Sequence, residues 1–203
     1  SRLSPGDVGL QLLENSIATG AVLVALILSL QPVSAAFNPV VTLVERAWGM
    51  VGTREAVGLV GSQLLGGVLG AVVANLMFDL DPVSLSSTHR ASGGHLLGEV
   101  VATFGLVLVI FGGVRTGRTE TLAWSVGGYI AAAYWFTSST SFANPAVTVA
   151  RTLSDTFAGI APASAPAFVV AQLAGGALAA VAVGWLFRPH PSPLPLDQET
   201  SDV

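Results

Sequence analysis

One short helix-opening signature occurs twice, about a hundred residues apart, as Phe37-Asn38-Pro39-Val40-Val41-Thr42 and as Ala143-Asn144-Pro145-Ala146-Val147-Thr148. Each copy reads as a helix start. Asn is a favoured N-cap, Pro suits the first helical position because its missing N–H would be unpaired there, and an apolar run follows. A lone Asn-Pro opens many ordinary turns, but here the downstream sequence repeats as well. Gln63-Leu64-Leu65-Gly66-Gly67-Val68-Leu69-Gly70-Ala71 reads against Gln172-Leu173-Ala174-Gly175-Gly176-Ala177-Leu178-Ala179-Ala180, and both runs close on Phe, at Phe78 and Phe187. The chain carries an internal duplication, and both copies must adopt related folds.

The surroundings of the two copies decide the solvent. Charged residues make up 10% of the 203 residues and mean hydropathy is +0.71, too little polarity for a soluble fold of this size. Apolar segments long enough to cross about 30 Å of hydrocarbon recur, at Val8–Leu30, Ala56–Phe78, His95–Val114, Thr121–Phe136 and Ala165–Phe187. The fourth is short and runs into Ser/Thr-rich sequence. The segments that begin at Asn38 and Asn144 are too short to cross, so they must be re-entrant, with freed backbone groups satisfied inside protein or along a water-filled path. The expectation is an all-α membrane protein with five transmembrane helices and two half-helices.

Charge supplies orientation and exclusions. There is no lysine. With the first Asn-Pro loop cytoplasmic, Arg46, Arg54, Arg115, Arg118 and Arg188 lie inside and Arg2, Arg90 and Arg151 outside, in keeping with the positive-inside rule. The net charge of −4 and the lack of any basic cluster argue against nucleic acid as partner. Cysteine is absent, which excludes disulfides and thiolate chemistry. His89, His95 and His190 are scattered without carboxylates at ligand spacing, so no metal or other cofactor is expected. Pro189–Val203, rich in Pro, Ser and acidic residues, reads as a disordered tail.

Paired Asn-Pro-Ala-type boxes on two re-entrant half-helices within an inverted repeat resemble the aquaporin family, also called the major intrinsic proteins. The resemblance spans about Val8 to Phe187. It implies a single aquaporin-like channel domain over 1–187, with repeat one (1–78) incomplete, repeat two at 95–187 and the tail at 188–203. Family members have three spans per repeat, whereas the first repeat here holds two, so the expectation is a fragment lacking the first helix. The resemblance also implies a homotetramer in a bacterial plasma membrane, with one pore per subunit.

In the family the half-helices meet end to end near the bilayer midplane, and this implies a midplane built from Asn38, Pro39, Val40, Asn144, Pro145 and Ala146. Half-helix N-termini carry unpaired N–H groups and partial positive charge, which repels cations, while the Asn38 and Asn144 amides offer donors to a passing solute oxygen. Selectivity in the family is set by a second constriction nearer the outer face. Counting from the boxes assigns that filter to Thr19, Ala132, Ser141 and Val147, with Val147 where family members usually carry arginine. Arg151, one turn further, is expected to make a loop contact. Such a ring is expected to be wide and uncharged, admitting glycerol, urea-like solutes and neutral metalloid hydroxides such as arsenous acid beside water. The run Ser139-Thr140-Ser141-Phe142-Ala143-Asn144-Pro145-Ala146-Val147-Thr148 resembles a bacterial aquaglyceroporin-like, arsenic-associated subgroup. Glu99, costly in hydrocarbon, is assigned by the resemblance to holding the second re-entrant loop. Gln63 and Gln172 are expected to hydrogen-bond between helices, and the glycines that follow them to give small-residue contact surfaces.

A passive channel for water and small neutral solutes is the function this reading favours. A secondary transporter also uses inverted repeats and broken helices, but no intramembrane Asp, Glu or Lys stands beside Asn38 or Asn144 to couple an ion. A non-conducting fragment is the third reading. An enzyme is not expected, since Ser138–Ser141 lack a His or Lys base on a neighbouring span.

Overall fold

Seven helices follow one another in the computed structural model, which describes residues 4–187: α1 (Val8–Leu30), α2 (Pro39–Ala47), α3 (Thr53–Met77), α4 (Gly93–Arg115), α5 (Leu122–Phe136), α6 (Pro145–Ala150) and α7 (Ala165–Leu186). The tail expected at 188–203 lies outside the described residues. Local chemistry sets several of these boundaries. Asp7 caps α1 by accepting from the Leu10 amide at 2.9 Å, and Ser92 caps α4 through the His95 amide at 3.2 Å. Asn38 and Asn144 are the extended N-cap residues of α2 and α6, each followed by Pro at the first helical position.

Helices α1, α3, α4 and α7 are each long and apolar enough to cross a membrane. The fifth expected span falls short. α5 has 15 residues and, at 1.5 Å per residue, covers about 22 Å. A single 3-10 turn at Thr119–Thr121 precedes it. The large apolar side chains of α3 that are exposed, Val57, Leu65, Leu69, Val73, Leu76 and Met77 among them, would be stranded in water and suit contact with lipid.

The duplication is visible in the packing. α2 packs on α3 and α7, and α6 packs on α7 and α3, so each short helix is held between the same two long ones. α1 pairs with α5, and α4 packs on α7 and α5. Glycines set the closest approaches. A Cβ at Gly20 would meet the Gly127 carbonyl oxygen at 2.9 Å, which brings α1 and α5 backbone to backbone. A Cβ at Gly175 would overlap the Val100 carbonyl of α4, and one at Gly176 the Val40 side chain of α2. Gly67 lies against Ala146 and Ala150 of α6. Gly66 and Gly70, expected to share that role, face open space.

Two apolar clusters flank the short helices. Val40, Val41 and Val44 of α2 pack with Val107, Phe111, Ala179 and Val183, and Ile27, Leu106, Val126, Ile130 and Tyr134 pack between α1, α4 and α5. Burial of these side chains, at about 1.5–3 kcal/mol each relative to exposure in water, fixes the frame within which the two Asn caps approach one another.

Candidate functional site

The two Asn side chains meet at the centre. Asn38 Oδ1 accepts from the Val40 amide at 3.0 Å while its Nδ2 donates to the Ala143 carbonyl at 2.7 Å. Asn144 mirrors this, with Oδ1 accepting from the Ala146 and Val147 amides at 2.9 and 3.3 Å and Nδ2 donating to the Phe37 carbonyl at 2.9 Å. Each cap therefore bonds the carbonyl of the residue that precedes the other cap. A carboxamide has two N–H donors, so this crossed arrangement leaves one proton on each Asn for something else.

Behind each half-helix stands a glutamine. Gln63 Nε2 donates to Thr42 Oγ1 at 2.9 Å and to the Ala36 carbonyl; Gln172 Nε2 donates to Thr148 Oγ1 at 2.8 Å and to Glu99 Oε2 at 2.6 Å. Glu99 is fully buried and accepts from the amides of Phe142 and Ala143 at 2.9 and 2.8 Å. Its carboxylate, with acceptors only, thus holds the loop that leads into α6. That loop is strained: Thr140, Ser141 and Ala143 have φ of 63°, 49° and 48°, left-handed conformations that cost a non-glycine residue about 1–2 kcal/mol each.

A cavity of about 420 Å³ runs past both caps. Asn38, Asn144, Thr19, Ser141 and Val147 all line it, so the structure brings these five sequence-assigned residues together. Pro39, Val40 and Pro145 do not reach it. They sit behind the caps, with Val40 packed towards Gly176. Ala146 faces a second, more open groove between α1 and α3.

The assignment of Ala132 to this lining is corrected. Ala132 is exposed, and the stripe of α5 that faces the cavity is Leu122, Val126, Ile130 and Tyr134, four residues apart on one helix face. Counting back from Asn144 misplaces the helix face because the turn between α5 and the left-handed loop does not keep the assumed spacing. Tyr134, two residues further on, is the α5 residue that reaches the cavity beside Thr19.

Arg151, expected to make a loop contact, reaches the same cavity. Its Nη2 donates to the Tyr134 hydroxyl at 2.8 Å and its guanidinium lies 4.3 Å from the centre of the Phe142 ring. The Tyr134 hydroxyl in turn lies 3.1 Å from Thr19 Oγ1. The sequence offers a signal, since Arg151 is four residues beyond Val147 and so shares its helix face. Glu45 and Glu55 line the far end of the same cavity.

Sequence reasoning also misses Arg90. It is buried and donates to the carbonyls of Gly159, Phe157 and Ser139 at 2.8, 2.9 and 3.3 Å, tying the segment before α4 to the loops on either side of α6. Burial, and then the nearby charge of Arg151, hold its guanidinium below the ordinary value. The same end is stitched by Ser84 and Ser86 amides donating to the Leu153 and Thr152 carbonyls at 3.0 Å each. Asn75 Nδ2 donates to the Leu153 carbonyl at 2.9 Å, which ties the end of α3 to the turn that follows α6.

Residues 3–122 match the family model described as Major intrinsic protein. The chain is 47% identical over 184 residues to Aquaglyceroporin AqpS of Rhizobium meliloti (strain 1021), an alignment covering 90% of this chain and 78% of the relative. It is 26% identical over 198 residues to Aquaporin-5 of Ovis aries, covering 88% of this chain and 70% of that protein. With two capped half-helices crossed at the centre of an internally repeated set of apolar helices, the chain belongs to the major intrinsic protein family.

Proposed function

We propose that the protein is a passive membrane channel for water and small uncharged solutes such as glycerol. The observation that carries this reading is the cavity on which both Asn38 and Asn144 open, each with an amide proton left over after capping and cross-bonding. A solute oxygen that accepts from both amides exchanges its water partners for fixed ones, and the positive end of α2 discourages cations at the same place. Family membership and the 47% identity to a protein named an aquaglyceroporin support the solute class, and the bacterial source of that relative supports the plasma membrane as location.

Solute choice falls to the outer group of Thr19, Tyr134, Ser141 and Val147, and neutral metalloid hydroxides belong with glycerol among solutes to be tried. Glu99 acts by position, holding the loop that presents Ser141. The channel domain comprises 1–187, and a homotetramer with a pore in each subunit is the assembly the family suggests. No chemical step is needed for this activity.

Stopped-flow light scattering on proteoliposomes tests it, comparing water, glycerol and arsenous acid. Glycerol and water uptake above that of bare lipid is expected, independent of ion gradients. Flux that follows a proton or sodium gradient makes the protein a secondary transporter, and flux equal to bare lipid refutes conduction.

A further inference from the structure

The duplication sets Glu45 against Arg151. Each stands seven residues past its box asparagine, Asn38 or Asn144, at the end of its half-helix away from the crossed caps. Related positions therefore carry opposite charge. Among the described residues, the charged side chains that line the cavity are Arg151 at one end and Glu45 and Glu55 at the other.

Local structure does not account for Glu45. It is half-buried and lies in the last turn of α2, the negative end of the helix, where a carboxylate is disfavoured. Arginines flank both carboxylates in sequence, at Arg46 and Arg54, yet neither lines the cavity. Arg46 Nε donates instead to Thr53 Oγ1 at 2.8 Å, and the Arg115 guanidinium lies 4.9 Å from the Trp48 ring. No arginine pairs with Glu45 or Glu55 among the described residues. A partly desolvated carboxylate left without a cation is costly, and a purely structural glutamate would take its neighbour.

The order of charge along the cavity supplies a reason. Both half-helices direct their positive N-terminal ends at the crossed caps, and Arg151 adds a full positive charge beyond them. These groups repel cations and attract anions. Between the caps and the acidic end the cavity is lined by Ile27, Val41, Leu106, Ile110 and Val126, low-dielectric walls that focus the field of a charge at the mouth. An anion that enters or leaves by that end must pass Glu45 and Glu55.

We propose that Glu45 and Glu55 screen anions at the end of the cavity opposite Arg151, complementing the repulsion of cations at the half-helix ends. This rests on the channel reading above. A polyol or an undissociated hydroxide passes the acidic mouth, whereas a small anion such as nitrate is turned back there.

The test measures potassium nitrate uptake, with valinomycin carrying the potassium, beside glycerol uptake in proteoliposomes of the wild-type protein and of Glu45→Gln, Glu55→Gln, the double variant and Glu55→Lys. Wild-type glycerol flux above bare lipid establishes the channel separately, and its absence refutes the channel reading instead. Each Gln variant is expected to raise the nitrate-to-glycerol permeability ratio about tenfold and the double variant about a hundredfold, the scale of a unit charge acting over roughly 8 Å at an effective dielectric constant of about 30. Glu55→Lys, at an exposed position, raises the ratio beyond Glu55→Gln and decides the matter if the Glu45 variants do not fold. Variants that conduct glycerol with the wild-type nitrate ratio overturn the proposal. So does an equal rise in sodium flux, which marks a general leak.

Discussion

Replacing Glu99 by Gln isolates the carboxylate that holds the second re-entrant loop. Oε1 accepts from Phe142 N at 2.9 Å, and Oε2 accepts from Ala143 N at 2.8 Å and from Gln172 Nε2 at 2.6 Å. Glutamine keeps the shape but has one oxygen. Its best placement puts that oxygen at the Oε2 position, leaving the new NH2 group to face the Phe142 amide, donor against donor. One charge-assisted bond is lost, at about 2 kcal/mol, and two others become neutral, at about 1 kcal/mol each, so a destabilisation of about 4 kcal/mol is expected. The loop is also strained at Thr140, Ser141 and Ala143, so it relaxes once the anchor is weakened and Ser141 leaves the cavity wall. Denaturant titration of the purified protein reads the first effect, and glycerol flux in proteoliposomes reads the second. A loss under about 1 kcal/mol with unchanged flux would refute the view that Glu99 positions this loop.

Other substitutions probe other links. Gly175→Ala drives a Cβ into the Val100 carbonyl and is expected to destabilise by about 1–3 kcal/mol, whereas Gly66→Ala, mid-helix in α3 and facing open space, should leave thermal unfolding unchanged or raise it; equal destabilisation would contradict the packing described. Val147→Arg adds a second guanidinium to the face that carries Arg151 and is expected to cut glycerol flux far more than water flux, while equal loss of both would remove Val147 from the path. The Ser87 amide bond holds exposed Asp155 below the ordinary aspartate value. With the folded value depressed, its stabilisation is complete above the unfolded value and is lost as pH falls through the folded one. Protection of the Ser87 amide, relative to its intrinsic exchange rate at each pH, should therefore fall only in acid, and Asp155→Asn should abolish that pH dependence.

The long helices and both half-helices are legible in the sequence because their signals are local. The expected α1, Val8–Leu30, coincides with the helix observed, and both Asn-Pro boxes are caps followed by Pro. What the sequence hides depends on how chain segments of unequal length meet in space. Thr19, Ser141 and Val147 do line the cavity, and two of them are tied to the second box by a few residues. Ala132 is reached only by counting across a loop with three left-handed residues, where no regular rise applies, and the count lands on the exposed face of α5. Arg151 is misread because its partner, Tyr134, comes from a different helix. Arg90 spends most of its donors on backbone carbonyls, with one longer bond to Thr140 Oγ1 at 3.4 Å, and carbonyls carry no sequence signature.

The duplication also sets a limit on symmetry, and that limit shows in the two loops that lead into the boxes. Locally the two boxes match: Asn cap, Pro, a Thr braced by Gln, and an amide crossed to the opposite carbonyl. Their approach loops differ. In the first, the Phe37 amide donates to the Ala35 carbonyl at 3.0 Å, and no residue from Ser34 to Phe37 has positive φ. In the second, left-handed residues turn the Phe142 and Ala143 amides towards Glu99, so the loop no longer needs those donors for its own turn. A loop fixed from outside can hold strain, and strain lets it present Ser141 to the cavity while Phe142 packs under Arg151. Transplanting a carboxylate against the first loop would therefore not create a second constriction. Ala35 and Ala36 lack the left-handed backbone, and the position equivalent to Arg151 in the first repeat is Glu45.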